Sequence, residues 1–246
     1  MRVKEIYNYL DELSPFEMQE KWDNSGLILG DFNSEVSEIV LSLDIDEDII
    51  KNAKENTLFI VHHPLIFAKL SALNLAKYPS NLLALMIKKN QSLIAMHTNF
   101  DKSHLNRYVF EEVLGFRLKQ QSDFICFGEV ELDFNELLEI LSKKLKLNSF
   151  KVVNKKQTIK SIALTTGAGA SLLDLMSADC FLTGDIKYHD AMKAISEDKM
   201  LIDIGHFESE QFFVDAMSFL LNSLPISVII MQSKNPFEII TLKDSN

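Results

Sequence analysis

The chain has 246 residues and a formal net charge of −10, with 47% hydrophobic and 24% charged residues. These values predict a globular protein with a sizeable core, and an acidic surface gives no general attraction to nucleic acid. The two cysteines form no C-x-x-C pair, so neither a zinc ribbon nor a redox motif is indicated. The start of the chain is unlike a signal peptide, and no apolar run reaches the ~20 residues of a membrane span. We therefore expect a cytoplasmic protein.

Short β-rich runs alternate with segments of helical periodicity along the first half of the chain. The first amphipathic helix carries Ile6, Leu10 and Leu13 and ends at Pro15. The elements predicted after it are strand 38–45, a helix through residues 49–53, strand 58–63, helix 80–90, strand 92–97 and helix 104–114.

The second half of the chain continues this alternation. Its predicted elements are strand 124–132, helix 134–146, a strand and turn at 159–167, a short helix, strand 180–184, strand 200–206, helix 207–221 and a hairpin of strands 227–232 and 237–243. Alternating strands and helices predict an α/β fold with mixed, mostly parallel sheets. We predict two α/β subdomains, 1–118 and 119–246. The C-terminal strands have the alternative of packing back on the first subdomain.

Four of the six histidines stand at the ends of predicted strands. His62 and His63 end one strand, His97 ends a second, and His206 ends a third. In open α/β sheets, ligands bind beyond the carboxyl ends of the strands. If these strands are parallel neighbours, the four histidines converge on one edge of a sheet.

Carboxylates accompany two of these histidines. Asp101 follows His97 by four residues, and Glu210 follows His206 by four. Positions i and i+4 share one face of a helix, so His206 and Glu210 can point at a common target. Imidazole nitrogen together with carboxylate oxygen suits zinc, manganese, iron or nickel. One such motif arises easily by chance, whereas its joint occurrence at three strand ends indicates a metal site.

The adjacent pair His62 and His63 indicates two ions rather than one. Consecutive side chains on a strand point to opposite faces, and Pro64 holds His63 in an extended conformation. Two divalent ions side by side, one served by each histidine, fit this arrangement better than a single ion.

Several motifs together resemble the Nif-three-like (YbgI-type) dinuclear metal-binding family, whose members are often labelled GTP cyclohydrolase type-2-like. The matching motifs are W-D-N-S-G-L at 22–27, V-H-H-P at 61–64, H-T-N-F-D at 97–101, T-G-A-G-A-S at 166–171, T-G-D-I-K-Y-H at 183–189 and G-H-F-E-S-E at 205–210. The resemblance implies metal ligands at His62, His63, Asp101, His206 and Glu210. It also implies a two-domain α/β subunit and a toroidal homohexamer whose metal sites face an inner cavity. The segment D-K-S-H-L-N at 101–106 departs from the family, which often has glycines before the asparagine.

Further residues are candidates for contact with a substrate. The loop containing Gly167 and Gly169 joins a strand to a helix, where backbone N–H groups can bind an anion; a tight turn explains it equally well. Lys187 can meet an anion, and His189 can contact a substrate or support a ligand. Trp22 can stack on a base, although tryptophan is more often a packing anchor.

Two groups of acidic residues are interpreted as features of helix starts. Asp185 is most simply an N-cap. The carboxylates of Asp44, Asp46, Glu47 and Asp48 are interpreted as a cluster at a helix N-terminus rather than as a metal site.

The ligand count predicts a catalytic site. Five protein ligands cannot fill two shells of four, even if Asp101 or Glu210 bridges the ions, and open positions are typical of catalytic metals. Metal-bound water can lose its proton near pH ~7 and become a nucleophile. We therefore expect a metal-dependent hydrolase in which His97 supports the ligands or transfers protons, and the resemblance implies a nucleotide substrate. The competing hypothesis is a non-enzymatic metal-binding scaffold.

Overall fold

The structure, a computed structural model, describes residues 1–240. Its α-helices are α1 Val3–Leu13, α2 Glu47–Asn52, α3 Ser80–Lys88, α4 Thr98–Phe100, α5 Asn106–Tyr108, α6 Phe134–Leu145, α7 Tyr188–Ser196, α8 His206–Glu210 and α9 Phe213–Leu221. Its strands are β1 Gly26–Leu29, β2 Glu38–Ser42, β3 Thr57–Val61, β4 Ser92–Ala95, β5 Gln120–Ser122, β6 Ile125–Asp133, β7 Lys151–Val153, β8 Thr158–Leu164, β9 Cys180–Thr183, β10 Met200–Asp203 and β11 Val228–Ile230. Short 3₁₀ turns cover Phe16–Met18 and Ala170–Leu175.

The first sheet has the strand order β1-β4-β3-β2-β11. Its pairs are parallel except for β1, which runs antiparallel to β4. Strands β2, β3 and β4 are buried along their whole length because α1 and α9 cover one face and α2 and α3 cover the other. Both faces therefore need apolar side chains, which explains the continuous hydrophobic runs in the sequence.

The second sheet has the order β5-β6-β8-β9-β10-β7. Strands β8, β9 and β10 are parallel, whereas β5, β6 and β7 pair in antiparallel fashion. The predicted α/β fold with two mixed sheets is confirmed, but parallel pairing predominates only in the first sheet, since three of the five strand pairs of the second sheet are antiparallel. One apolar core joins the two sheets, because Ile60 of the first and Ile162 and Leu182 of the second pack into the same cluster.

The C-terminal segment returns to the first sheet, where β11 pairs in parallel with β2. The predicted hairpin is therefore wrong: residues 237–240 form no strand, and 241–243 lie outside the described residues. Phe237 is 79% exposed and Ile239 71% exposed, so their alternating pattern faces no core. The division of the chain at residue 118 stays a prediction.

A continuous helical stretch over residues 98–113 carries part of the candidate site. It consists of α4, a π-helical turn at Asp101–Leu105, α5 and a second π-helical turn at Val109–Val113. The predicted helix 104–114 thus begins six residues earlier, at Thr98. π-helical turns often occur at functional sites, and Asp101 opens the first one. Within residues 1–240, no helix has the length and apolar character needed to cross a bilayer.

Candidate metal centre

The histidines and carboxylates singled out in the sequence meet between the two sheets. His62 and His63 directly follow β3, and His97 follows β4. His206 and Glu210 are the first and last residues of α8, which follows β10 of the second sheet. The carboxyl ends of strands from both sheets therefore supply the side chains.

Three groups of donor atoms converge: Glu210 belongs to two of them, and the third joins His97 to His62 and His63. In the outer half-site, which comprises His63, His206 and Glu210, Glu210 Oε2 lies 3.0 Å from His63 Nε2 and 2.9 Å from His206 Nε2. In the inner half-site, which comprises His62, Asp101 and Glu210, His62 Nε2 lies 3.4 Å from Asp101 Oδ1 and 3.7 Å from Glu210 Oε1. Glu210 thus presents one carboxylate oxygen to each of these two half-sites.

Buried polar atoms without partners show that this donor set fits metal ions. His62 Nε2 and Asp101 Oδ1 are inaccessible to solvent and make no hydrogen bond, and Glu210 Oε2, also buried, has only the imidazoles of His63 and His206 beside it. An unpaired buried polar atom costs about 1–3 kcal/mol. These three atoms face the two half-sites, where a divalent ion with nitrogen and oxygen ligands would satisfy them.

Carboxylates orient both histidines of the outer half-site. His63 Nδ1 lies 2.8 Å from Asp44 Oδ1, and His206 Nδ1 lies 2.7 Å from Asp185 Oδ2. An Nδ1–H donated to a carboxylate leaves the Nε2 lone pair free for a metal, and such partners make the imidazole a better ligand. A backbone carbonyl does the same in the inner half-site, where His62 Nδ1 lies 2.8 Å from the Met96 oxygen.

These contacts correct two interpretations of acidic residues. Asp44 does not belong to the helix N-terminal cluster; the N-cap of α2 is Asp46, whose side chain accepts a hydrogen bond from the Ile49 N–H. Asp185 is not an N-cap either, because α7 begins after Lys187. Asp44 and Asp185 each follow the end of a strand by two residues, the same positional signal that marks the histidines.

His97 lies beside the two half-sites. Its ring centroid is 5.1 Å from that of His62 and 5.6 Å from that of His63. Asp23 Oδ1 lies 2.7 Å from His97 Nδ1. Burial alone would raise the pKa of Asp23, but hydrogen bonds from His97 and Thr98 and the charge of His97 hold it well below its usual range. Asp23 thereby stays ionised and fixes the orientation of the imidazole.

The two half-sites differ in their proton affinity. Burial lowers the pKa of His62 to about 4, and burial together with the charge of Glu210 raises that of Asp101. Burial by itself would also lower the pKa of His63 and that of His206. Glu210 and the carboxylates that orient the two histidines outweigh burial, so the pKa of His206 is raised to about 9 and that of His63 well above 6.5. The same histidines hold the pKa of Glu210 well below its usual range.

A cavity of about 590 Å³ opens onto the centre. Its aromatic walls come from Trp22, Phe67 and Phe124, and its polar walls include Thr98, Thr165, Thr166 and Ser171, with His63, His97, Asp101, His206 and Glu210 at the metal end. A site of this size, with apolar walls and a few convergent polar groups, is suited to a small molecule.

The sequence as a whole matches a known family over almost its full length. The model of the Duf34/NIF3 (NGG1p interacting factor 3) family covers residues 1–236. This chain belongs to the Duf34/NIF3 family. It is 52% identical to a GTP cyclohydrolase 1 type 2 homolog of Campylobacter jejuni, over 97% of this chain and 99% of the relative. It is also 45% identical to GTP cyclohydrolase 1 type 2 of Helicobacter pylori, over the same shares. The predicted family resemblance is confirmed.

Solved structures of the family share its fold. A hypothetical protein of Staphylococcus aureus is 25% identical, with a TM-score of 0.86 over 98% of this chain and 99% of the other. The reduced HcgD protein of Methanocaldococcus jannaschii is 25% identical, with a TM-score of 0.82 over 94% and 97% of the two chains. The protein ybgI is 18% identical with a TM-score of 0.84 over 96% and 100%, a likeness of fold alone.

Gly167 and Gly169, the two glycines predicted to contact a substrate, have different surroundings in the structure. Gly167 has a φ of +61°, and a Cβ there would collide with the Glu210 carboxylate. Only glycine therefore combines this backbone conformation with the close approach of Glu210. Gly169 lines the cavity, and its N–H donates to Thr183 Oγ1. Glycine at position 167 is therefore explained by the close packing of its backbone against Glu210, a candidate metal ligand.

Three further residues considered in the sequence analysis lie away from the metal centre: Lys187, His189 and His104. Lys187 and His189 are exposed at the start of α7 and do not line the cavity. Their contact with a substrate stays a prediction. His104 stacks on Phe100 with ring centroids 5.2 Å apart, and lines a separate groove beside α9.

Proposed function

We propose that this chain is a hydrolase that depends on two divalent metal ions and acts on a nucleotide or a related small molecule. The observation that supports the proposal most strongly is the division of the Glu210 carboxylate between two groups of donors whose buried atoms lack other partners. A structural metal site would be closed by protein ligands. Here each half-site has three candidate ligands, and Glu210 is counted in both. The side of each half-site that protein ligands leave open faces the cavity.

Each ligand has a distinct role in this proposal. His63 and His206 would hold the outer ion, His62 and Asp101 the inner ion, and Glu210 both. When bound, two such ions polarise a substrate and lower the pKa of a water molecule. The identity of the metal stays open among zinc, manganese, iron and nickel, which this nitrogen and oxygen donor set suits.

His97 is the proposed proton-transfer residue. Its Nδ1 is fixed by Asp23, so Nε2 is the ring nitrogen that remains to hold or release a proton in the cavity. An imidazole is suited to this role because its ordinary pKa lies near neutral pH. Its place beside both His62 and His63 brings that nitrogen close to the reacting end of the cavity.

The names of the relatives suggest GTP as the first substrate to test. Metal-free protein would be reloaded separately with zinc, manganese, iron and nickel, then incubated with GTP, other nucleotides and phosphoesters, and substrate loss followed by chromatography. We expect turnover by a loaded form that Glu210→Gln abolishes. Glu208→Gln is a matched control, because Glu208 lies on the same helix and its carboxylate pairs with Asn235 instead. Two bound ions without turnover of any compound would instead support the non-enzymatic scaffold.

We also propose, from the family resemblance, that the chain forms a toroidal homohexamer. Light scattering of the purified protein should give six times the mass of the chain. A monomer at micromolar concentration would contradict this assembly and leave the metal centre of the single chain unaffected.

A further inference from the structure

The outer half-site borders a second cavity, of about 750 Å³, besides the cavity that opens onto the whole centre. Part of its wall is apolar and includes Phe150, Phe207 and Pro236. Within residues 1–240, the first and second cavities have two lining residues in common, His63 and His206. The histidines of the outer half-site therefore stand between two separate spaces.

The ligands of the inner half-site do not reach the second cavity. His62 is fully buried and lines neither space, and Asp101 lines the first cavity alone. In contrast, the side chains of His63 and His206 are 26% and 36% exposed. In the part of the chain that the structure describes, an inner ion is thus accessible from the first cavity, whereas an outer ion is accessible from both.

Carboxylates line the second cavity next to these histidines. Asp44 and Asp185 each accept a histidine Nδ1–H with one oxygen, and their side chains are about half exposed. Within residues 1–240, the other oxygen of each carboxylate accepts no hydrogen bond. Those two oxygens are free to contact the water shell of a divalent cation.

The remaining charges of the second cavity also favour a cation. Asp203 and Glu208 line it, and Lys151 is the one lysine or arginine among the described residues that does. Lys151 Nζ lies 3.1 Å from Asp203 Oδ2, so this pair cancels. The four lining carboxylates outnumber the cations even when both outer histidines are protonated. A cleft with an excess of one charge concentrates ions of the opposite charge, and a divalent ion with six waters occupies only about 180 Å³.

An oxygen atom beside the shared histidines indicates where such a cation would bind. Glu210 Oε2 is buried and has only the imidazoles of His63 and His206 beside it, at 3.0 and 2.9 Å. An ion that arrives through the second cavity would reach these three donors after passing Asp44 and Asp185.

We propose that the second cavity is the entry and exit route of the outer metal ion, and that its transient ligand is a hydrated divalent cation. The inference rests on the outer half-site of the proposed function, and it gives the second cavity a use that the hydrolytic reaction does not need. The outer ion would then exchange without crossing the first cavity, where a substrate would lie.

Metal release from variants with a blocked cavity tests the route. Zinc-loaded protein would be mixed with a chromophoric zinc chelator in a stopped-flow instrument, and His206→Ala would identify the phase of the outer ion by lacking it. Ser149 is exposed and lines the second cavity, and Ser171 is exposed and lines the first. Ser149→Trp and Ser171→Trp therefore place the same bulky ring in one cavity or the other.

We expect Ser149→Trp to slow release of the outer ion at least about tenfold, which corresponds to a barrier higher by about 1.4 kcal/mol, and to leave the inner phase unchanged. The unchanged inner phase would also show that the variant is folded. Ser171→Trp should slow the inner phase and leave the outer one unchanged. An outer phase that is unaltered in Ser149→Trp, or slowed as much in Ser171→Trp, would overturn the proposal.

Charge variants test the route without blocking it. Lys151→Glu adds negative charge to the second cavity, and zinc uptake by its outer half-site, followed with a zinc indicator dye, should be at least about threefold faster at low salt. The gain should shrink as salt screens the charges. Lys160→Glu is the matched control, because Lys160 is an exposed lysine that lines neither cavity. Equal uptake rates in the two variants would overturn the attraction of cations into this cavity.

The same samples distinguish failure of this inference from failure of the proposed function. A single zinc ion per chain in the unaltered protein would contradict the dinuclear centre and the route together. Two ions whose release and uptake ignore the second-cavity variants would contradict the route alone. Two ions with the expected release and uptake, but no turnover of any compound, would support the route and contradict only the hydrolase.

Discussion

The outer and inner half-sites share Glu210, but their surroundings differ. His62 of the inner half-site is fully buried and oriented by the Met96 carbonyl, whereas the side chain of His206 in the outer half-site is 36% exposed and oriented by Asp185. The inner donors are set by the core and the backbone, and the outer donors by charged side chains that water can reach. The two proposed ions should therefore respond differently to mutation and to pH, although one carboxylate would hold both.

Glu210 should have the largest effect, because it is the one ligand common to both half-sites. Glu210→Gln replaces the bridging carboxylate by a neutral amide with a single oxygen, and we expect the metal content to fall from two ions per chain to less than one. Elemental analysis of chelator-free protein measures this content. Glu208→Gln, two residues earlier on the same helix, should keep both ions. Full loading of Glu210→Gln would show that Glu210 does not bridge.

Variants that remove one ligand should distinguish the two half-sites, because each should lose only one ion. His206→Ala should lose the outer ion and keep the inner one, and His62→Ala the reverse, so each variant should retain about one ion. Asp101→Ala should behave like His62→Ala. Calorimetric metal titration resolves the two binding events. If either histidine variant lost both ions or neither, the half-sites would not be the independent units described above.

Replacing the carboxylates that orient the two histidines of the outer half-site should have an intermediate effect on metal affinity. Asp44→Asn and Asp185→Asn weaken the orientation of His63 and His206, and such partners typically change metal affinity about 10–100-fold. We expect this loss at the outer half-site alone. Asp46→Asn is the control in the same loop: Asp46 caps α2, so its replacement should cost at most about 1 kcal/mol of stability without affecting the metal. Equal weakening of both ions in Asp44→Asn would contradict the assignment.

The pH dependence of metal binding should also differ between the half-sites. The pKa of His206 is raised to about 9 and that of His63 well above its usual value, so both imidazoles hold protons at pH 7 in the metal-free protein. An outer ion must displace them, and its affinity should rise with pH, by about tenfold per unit for each proton released. The contribution of the His206 proton should level off above about pH 9. Calorimetry in buffers of different ionisation enthalpy counts these protons. Binding at pH 7 without proton release would contradict the raised pKa values.

His97 should have the smallest effect on the metal. It lies outside both half-sites, so His97→Ala should keep two ions. Any hydrolytic activity should fall, and its dependence on pH should change, because a proton-transfer group is removed. His104→Ala, which alters a histidine away from the centre, should change neither. Loss of an ion in His97→Ala would make His97 a ligand.

The sequence indicated the side chains that meet at the candidate centre better than the carboxylates that orient them. His62, His63, His97 and His206 all follow strands whose continuous apolar runs are easy to recognise, so their convergence could be expected from the parallel pairing of the strands. Asp44 and Asp185 follow strands in the same way, but each also stands just before a helix, where a carboxylate usually has a local role. The partner of an Nδ1 atom is a long-range contact that spacing along the chain does not encode.

The fold was predicted where burial is continuous and was missed where it is not. Strands β2, β3, β4, β9 and β10 coincide with predicted strands because their residues are fully buried. The edge strands β1 and β7, and the helix α7, are short or partly exposed, and their patterns were not recognised. The C-terminal pattern at 237–243 is typical of a strand, yet Phe237 and Ile239 are exposed and residues 237–240 form no strand.

The proposed pair of ions can be located directly by anomalous diffraction from crystals of protein purified without chelator. We predict two anomalous peaks per chain about 3.5–4 Å apart, one beside His63 and His206 and one beside His62 and Asp101, with Glu210 between them. A single peak, or peaks away from Glu210, would contradict the dinuclear centre.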